Sequence, residues 1–317
     1  MPLILHEDNR IDPMISKAKT FLSGPLGTVL LAVALTFASP SWAETLKVGT
    51  ISVAPVDEIR TFQPFADYLA DALKEDGFDG AEVVIAADVH QMASLLKSGA
   101  VDLFIDSSVA ALVVTELSGA QYMLRRWKKG RDQYRSVIFV RDDSPIVSLD
   151  DLRGKLIAFE EPFSTSGFML PAMTLYRAGL ELSEVKSTAS LPPADSLGFI
   201  MAYDNETQSA WLERGRVQAA AMAEKDFKDF SETALAPLRA LHHTPYVPYH
   251  VVVNRSDLDG ALVDRIKTVL KGAHESKTGR AVLDDFERTA KFDDIPPPLL
   301  DEVMGLKPFL HLIIAPH

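Results

Sequence analysis

The chain has 317 residues, 47% hydrophobic and 24% charged, the composition of a folded globular protein of one large or two medium domains. A formal net charge of −12 argues against the basic surface that nucleic acids need and offers nothing to anionic membranes. The absence of cysteine removes disulfide frameworks, thiolate metal sites, a cysteine nucleophile and a lipidated cysteine.

In chain order, Lys17 and Lys19 precede an apolar run at 28–38, then Pro40 and the small-x-small triplet Ser41, Trp42, Ala43. This layout predicts a secretory signal peptide over 1–43 cleaved after Ala43, with Met1 or Met14 as start. The apolar run is about half of the roughly 20 residues a spanning helix needs. A periplasmic protein without a lipid anchor is expected, resting on its core in place of disulfides.

From Glu44 the pattern alternates. Strands are predicted at 45–52, 81–87 and 100–106, and helices at 61–77, 89–99 and 107–119, with Pro64 in a first turn and Ser107 or Ser108 as a cap. Strand-helix-strand order means an α/β fold with a mainly parallel sheet. The pattern repeats over 155–222, where L-x-x-G-x-V at Leu96, Gly99 and Val101 returns at Leu212, Gly215 and Val217. Two related lobes are expected, lobe I over 44–140 plus 252–317 and lobe II over 141–251. Extended segments near 135–141 and 250–254 would cross between them as a two-segment hinge that closes on a ligand.

Between the strand 155–161 and the helix 167–179 stand Ser164, Thr165, Ser166 and Gly167. A helix N-terminus there offers unpaired amides and the positive end of the helix dipole, and Pro171 forces the helix to begin near Ser166. The hydroxyls add donors, so the run is a candidate cradle for a tetrahedral oxyanion, although one hydroxyl is also an ordinary cap. The basic run 124–135 beside it concentrates anions or is simply a solvated connector. No histidine spacing suggests a metal, and no nucleophile elbow, Walker loop or dinucleotide fingerprint is present.

Residues 134–171, with Y-x-S, D-S-x-I-x-S-L-x-D-L-x-G-K and S-T-S-G-x-x-x-P elements, resemble the periplasmic phosphate, phosphite and phosphonate binding proteins of ATP-driven (ABC) importers. The resemblance extends from about Leu46 to Lys291. It implies the two-lobe type II periplasmic binding protein fold, with Ser164, Thr165, Ser166 and Gly167 holding the phosphono oxygens and Tyr134 at the cleft wall. It also sets Asn205 where the family tends to have histidine, His250 where aminophosphonate binders carry aspartate, and Lys225 beside Glu224 where an acid is expected. These departures disfavour an aminoalkylphosphonate and leave phosphate, phosphite, a simple phosphonate or another oxyanion. Ser107 and Ser108 would face the same cleft.

The expected protein is a monomeric, non-enzymatic solute-binding component of an importer, without cofactor or metal, that presents a small oxyanion to a membrane permease. One alternative keeps the fold and delivers the ligand to a membrane sensor. A periplasmic phosphoester hydrolase is the alternative of a different class, but it lacks an activated nucleophile near Ser164 to Ser166.

Overall fold

The computed structural model describes residues 44–52 and 55–311, so the expected signal segment lies outside the described residues. The chain first lays down β1 (Glu44–Ile51), α1 (Pro55–Ala72), β2 (Phe78–Ala86), α2 (Val89–Lys97), β3 (Leu103–Ser107), α3 (Ser108–Ser118) and β4 (Gln121–Arg126). A two-residue strand, β5 (Gln133–Tyr134), leads to β6 (Ser136–Arg141), β7 (Leu156–Phe159), α4 (Leu170–Arg177), β8 (Leu182–Glu184), β9 (Leu197–Met201), α5 (Asn205–Glu213), β10 (Ala219–Ala223), α6 (Glu224–Ser231) and β11 (Leu238–His243). The return passes through β12 (Val247–Pro248), β13 (His250–Asn254), α7 (Gly260–Gly272), α8 (Lys277–Asp285), β14 (Phe292–Asp293) and α9 (Pro297–Met304).

The strands form two six-stranded sheets, β14-β4-β13-β3-β1-β2 and β11-β6-β10-β7-β9-β8. In each, parallel pairs (β1 with β2 and β3; β7 with β9 and β10) give way to antiparallel ones toward β14 and β11. The sequence repeat has a structural counterpart. Gly99 and Gly215 both take positive φ, 73° and 68°, and the amides of Ala100 and Arg216 reach back to the carbonyls of Leu95 and Trp211 at 2.8 Å. Each glycine ends a helix in the left-handed turn that suits a residue without a side chain, and a buried valine, Val101 or Val217, enters the next strand.

The crossing lies elsewhere than expected. The run 136–140 is buried along its whole length, and β6 pairs with β10 and β11 inside the second sheet. Its β-branched residues suit a central strand, not a connector. Likewise β13 lies within the first sheet, between β3 and β4. The sheets are joined by the ribbon β5–β12, where Val247 faces Tyr134 and Pro248 faces Gln133. The change of sheet therefore precedes the expected boundaries at 140/141 and 251/252.

Pro64 also sits deeper than expected, because α1 begins at Pro55. The apolar face Phe62, Phe65, Ala66, Leu69 and Ala70 is buried, and that packing outweighs the missing amide. Helix α3 is buried at every position from Ser108 to Thr115, as a helix surrounded by other elements must be. A continuous apolar cluster runs from α2 and α3 to α4, β6, β7 and the segment 303–310. Residues after β14 pack beside α3, and they also touch α4 beside the second sheet, through Arg177–Glu302 at 3.0 Å and Tyr176 against Phe309.

Candidate anion-binding site

Strands β3 and β7 each carry an acidic residue at the C-terminal end, Asp106 as the penultimate residue of β3 and Glu160 just past β7. Ligands of parallel α/β sheets gather beyond such strand ends. After Glu160 the backbone makes a wide π-type turn over Thr165–Met169, closed by the Met169 amide on the Ser164 carbonyl at 3.0 Å, before α4. Turns of this kind recur at functional sites. The Ser164 hydroxyl donates to Glu160 Oε2 at 2.7 Å and accepts the Gly167 amide at 2.8 Å. It therefore caps the turn, and its single proton is committed to the carboxylate.

Thr165 is buried, and its Oγ1 accepts the Val109 amide at 3.2 Å, a bond from the N-terminus of α3 to the turn before α4. The Tyr134 hydroxyl hydrogen-bonds the same threonine. Burial pushes the Tyr134 phenol up, with smaller contributions from Tyr249 and from the Asp106 and Glu160 carboxyls. Two helix N-termini, a threonine, a tyrosine and two carboxyls thus converge. Ser166 is partly exposed and opens onto a cavity of about 630 Å³ that Tyr134 also lines.

On the first sheet, Ser107, His250 and Arg126 stand side by side on β3, β13 and β4. The Ser107 amide donates to Asp106 Oδ1 at 2.6 Å, and the Ile51 amide reaches Oδ2 at 3.4 Å. Burial nevertheless holds Asp106 above the usual carboxylate range. Glu160 is raised for the same reason, against the Ser164 hydrogen bond and with help from nearby Glu161. Ser107 makes no side-chain cap, and Ser108 Oγ donates to the Pro248 carbonyl at 2.6 Å, so Ser108 ties α3 to the ribbon and presents no donor. His250 Nδ1 is buried without a partner. Burial, then the charges of Lys128 and Arg126, push this imidazole well below its ordinary value, which keeps it neutral. Arg126 is fully buried, lies over Phe286 at 3.6 Å and meets Glu287 at 3.1 Å, and desolvation lowers it to about 10.

The 630 Å³ cavity continues outward past Arg131, Arg135, Lys225 and Tyr249 into a second hollow of about 600 Å³ that reaches Lys129 and Arg288. The basic run is thus divided. Arg125 and Arg126 are buried structural cations, Arg125 gripping Asp293 at 2.7 and 3.0 Å, while Lys129 and Arg131 line the cleft.

Asn205 stands apart. Its side chain accepts Gln208 Nε2 at 2.8 Å on the first turn of α5 and lines a separate hollow with Met222 and Phe230. Glu224 is bound by Arg135 at 2.5 and 3.0 Å. Sequence reasoning missed Asp106 and Glu160, although an acid at the end of each buried strand, followed by serines, was available as a signal.

The family described as "ABC transporter, phosphonate, periplasmic substrate-binding protein" matches residues 48–296. The phosphate-import protein PhnD of Mycolicibacterium smegmatis is 24% identical over 229 residues, covering 69% of this chain and 70% of that protein. The tetrathionate sensor histidine kinase TtrS of Salmonella typhimurium is 26% identical over 258 residues, 77% of this chain and 42% of that protein. XAC2383 from Xanthomonas citri has been solved bound to chloride and bound to ATP. Those structures are 28% and 27% identical with TM-scores of 0.73 and 0.75, covering 83% and 85% of this chain and 96% and 99% of theirs. The architecture is that of type II periplasmic binding proteins.

Proposed function

Because the chain belongs to the periplasmic phosphonate substrate-binding proteins of ABC transporters, we propose that it binds a phosphorus oxyanion, phosphate, phosphite or a simple phosphonate, and delivers it to a membrane permease. The two sheets act as lobes, the β5–β12 ribbon as their hinge, and residues 1–43 as the export signal. The observation that carries this reading is the company the anion site keeps. Helix N-termini, the Ser166 hydroxyl and Tyr134 supply donors, while the carboxyls of Asp106 and Glu160 supply acceptors. Near neutral pH a phosphate or phosphonate can carry a proton to give to such an acceptor. Sulfate and sulfonates carry none, and an unmatched carboxylate beside them is penalised.

The ligands named for related proteins, phosphate for the mycobacterial relative and ATP for the X. citri structure, support a phosphate-bearing cargo. A thermal-shift titration of ligand-stripped protein tests it. At about 100 times Kd a phosphorus oxyanion adds roughly 2.7 kcal/mol of stability, and sulfate at the same concentration adds far less. Equal shifts with sulfate would defeat the reading.

Likeness to the TtrS sensor favours a second role on the same fold, delivery of the bound ligand to a membrane sensor. Loss of ligand uptake in cells lacking this protein supports transport. Intact uptake with a lost transcriptional response to the ligand supports sensing.

A further inference from the structure

We propose that the outer cleft is a second anion subsite, so that the preferred cargo carries a chain of two or more phosphoryl groups; this rests on the reading that the inner end takes a phosphoryl group. The cavity that starts at Ser166 and Tyr134 shares Arg131, Lys225, Asp226 and Tyr249 with the outer hollow. Together they extend far beyond what one tetrahedral anion fills. Six cations, Lys129, Arg131, Arg135, Lys225, Lys228 and Arg288, line this path against three acids, Asp132, Glu224 and Asp226.

Pairing sharpens the imbalance. Glu224 is taken by Arg135, Asp132 by Arg125, and Lys225 pairs with Asp229. Among the described residues no carboxylate lies within ion-pair distance of Lys129, Arg131, Lys228 or Arg288. In a chain of net charge −12, a cleft with surplus positive charge focuses anions.

The backbone supplies an independent observation. Lys129, Glu287 and Arg288 have φ of 53°, 53° and 52°, left-handed values that cost non-glycine residues energy and persist where surroundings enforce them, often at ligand clamps. Here the Lys129 amide donates to the Glu287 carbonyl at 3.2 Å, and the Glu287 carboxylate is held by Arg126 and Lys128 at 3.1 and 3.0 Å. This lock holds Lys129 and Arg288 on one hollow. Arg131 lies 5.9 Å from the Tyr249 ring centroid, and that ring packs on Tyr134 of the inner site, which links the two ends of the path. Fixed cations in series fit successive phosphoryl groups.

Calorimetric titration of the stripped protein with phosphate, pyrophosphate, tripolyphosphate and adenosine triphosphate, at one salt concentration, is the test. Pyrophosphate and tripolyphosphate should bind at least about tenfold more tightly than phosphate, and Arg288→Ala and Lys129→Ala should each shrink that ratio several-fold. Equal binding of tripolyphosphate and the nucleotide assigns an inorganic chain, and tighter binding of the nucleotide assigns a nucleoside polyphosphate; either supports the subsite. Phosphate binding as tightly as tripolyphosphate, or a preference that survives both substitutions, overturns it. If none of the four binds, this subsite and the inner-site reading fall together. If Thr165→Val abolishes neither phosphate nor tripolyphosphate binding while Arg288→Ala weakens the latter, only the inner-site assignment falls.

Discussion

Replacing Gly167 with alanine should destabilise the protein and weaken oxyanion binding together. A Cβ at this position would overlap Glu160 Oε2 and Glu160 Cβ and stand 2.8 Å from Ser164 Oγ. The carboxylate can swing away, but Glu160 Cβ is fixed to the end of β7, so the turn itself must move. Overpacking of this kind costs about 1–3 kcal/mol, a fall in Tm of roughly 2–8 °C for a protein of this size. Helix propensity acts the other way, favouring alanine over glycine by up to about 1 kcal/mol, so the sign of the change decides between the two effects. Thermal unfolding gives the sign, and calorimetry with methylphosphonate gives the affinity. Adding Glu160→Ala should not restore stability, because the offending Cβ remains, whereas Glu160→Gly should. A Gly167→Ala protein as stable as the parent, or more so, would mean that the turn accommodates a Cβ without cost.

Thr165→Val removes the acceptor of the Val109 amide and the partner of Tyr134, and should weaken phosphorus oxyanions at least about tenfold by calorimetry, with little change in far-ultraviolet dichroism. Arg126→Met strips Glu287 and Thr289 of a buried partner and should cost about 3 kcal/mol in urea unfolding, the low end for a broken buried pair because Lys128 still reaches Glu287. Glu160 has a raised folded-state pKa, so the folded protein binds its proton more tightly than the unfolded chain does; the resulting stabilisation is present at low pH and lost as pH rises through the folded value. Glu160→Gln should therefore raise Tm at about pH 8, with the gain shrinking toward pH 4; a gain that grows on acidification would contradict the assignment.

The two α/β halves could be read from sequence because their signals are local. L-x-x-G-x-V encodes a helix end, a left-handed glycine and a buried strand start within six residues, and both copies at Gly99 and Gly215 fold that way. The crossing was not legible, because 136–140 has the same apolar run whether it bridges sheets or lies within one, and only pairing with β10 and β11 distinguishes these. Likewise the hydroxyl run did not show the separate duties of its members. Ser164 is committed to Glu160, Thr165 to Val109 and Tyr134, and only Ser166 opens on the cavity. Acids were sought near 225 and 250, where the family resemblance pointed. Glu224 and Asp226 do line the cavity, and beside Tyr134 the structure adds Asp106 and Glu160, from two sheets whose residues are far apart in the chain.

Methylphosphonate and methanesulfonate differ little in shape and chiefly in whether an oxygen can carry a proton near neutral pH. Calorimetric affinities for this pair, measured on the stripped parent and on Glu160→Gln, test whether a carboxylate at the site selects a protonated oxyanion. The parent should prefer methylphosphonate by at least about tenfold and the substitution should narrow the gap, since a glutamine amide can donate to the sulfonate. Equal affinities in the parent, or a preference that Glu160→Gln leaves intact, would contradict that selection.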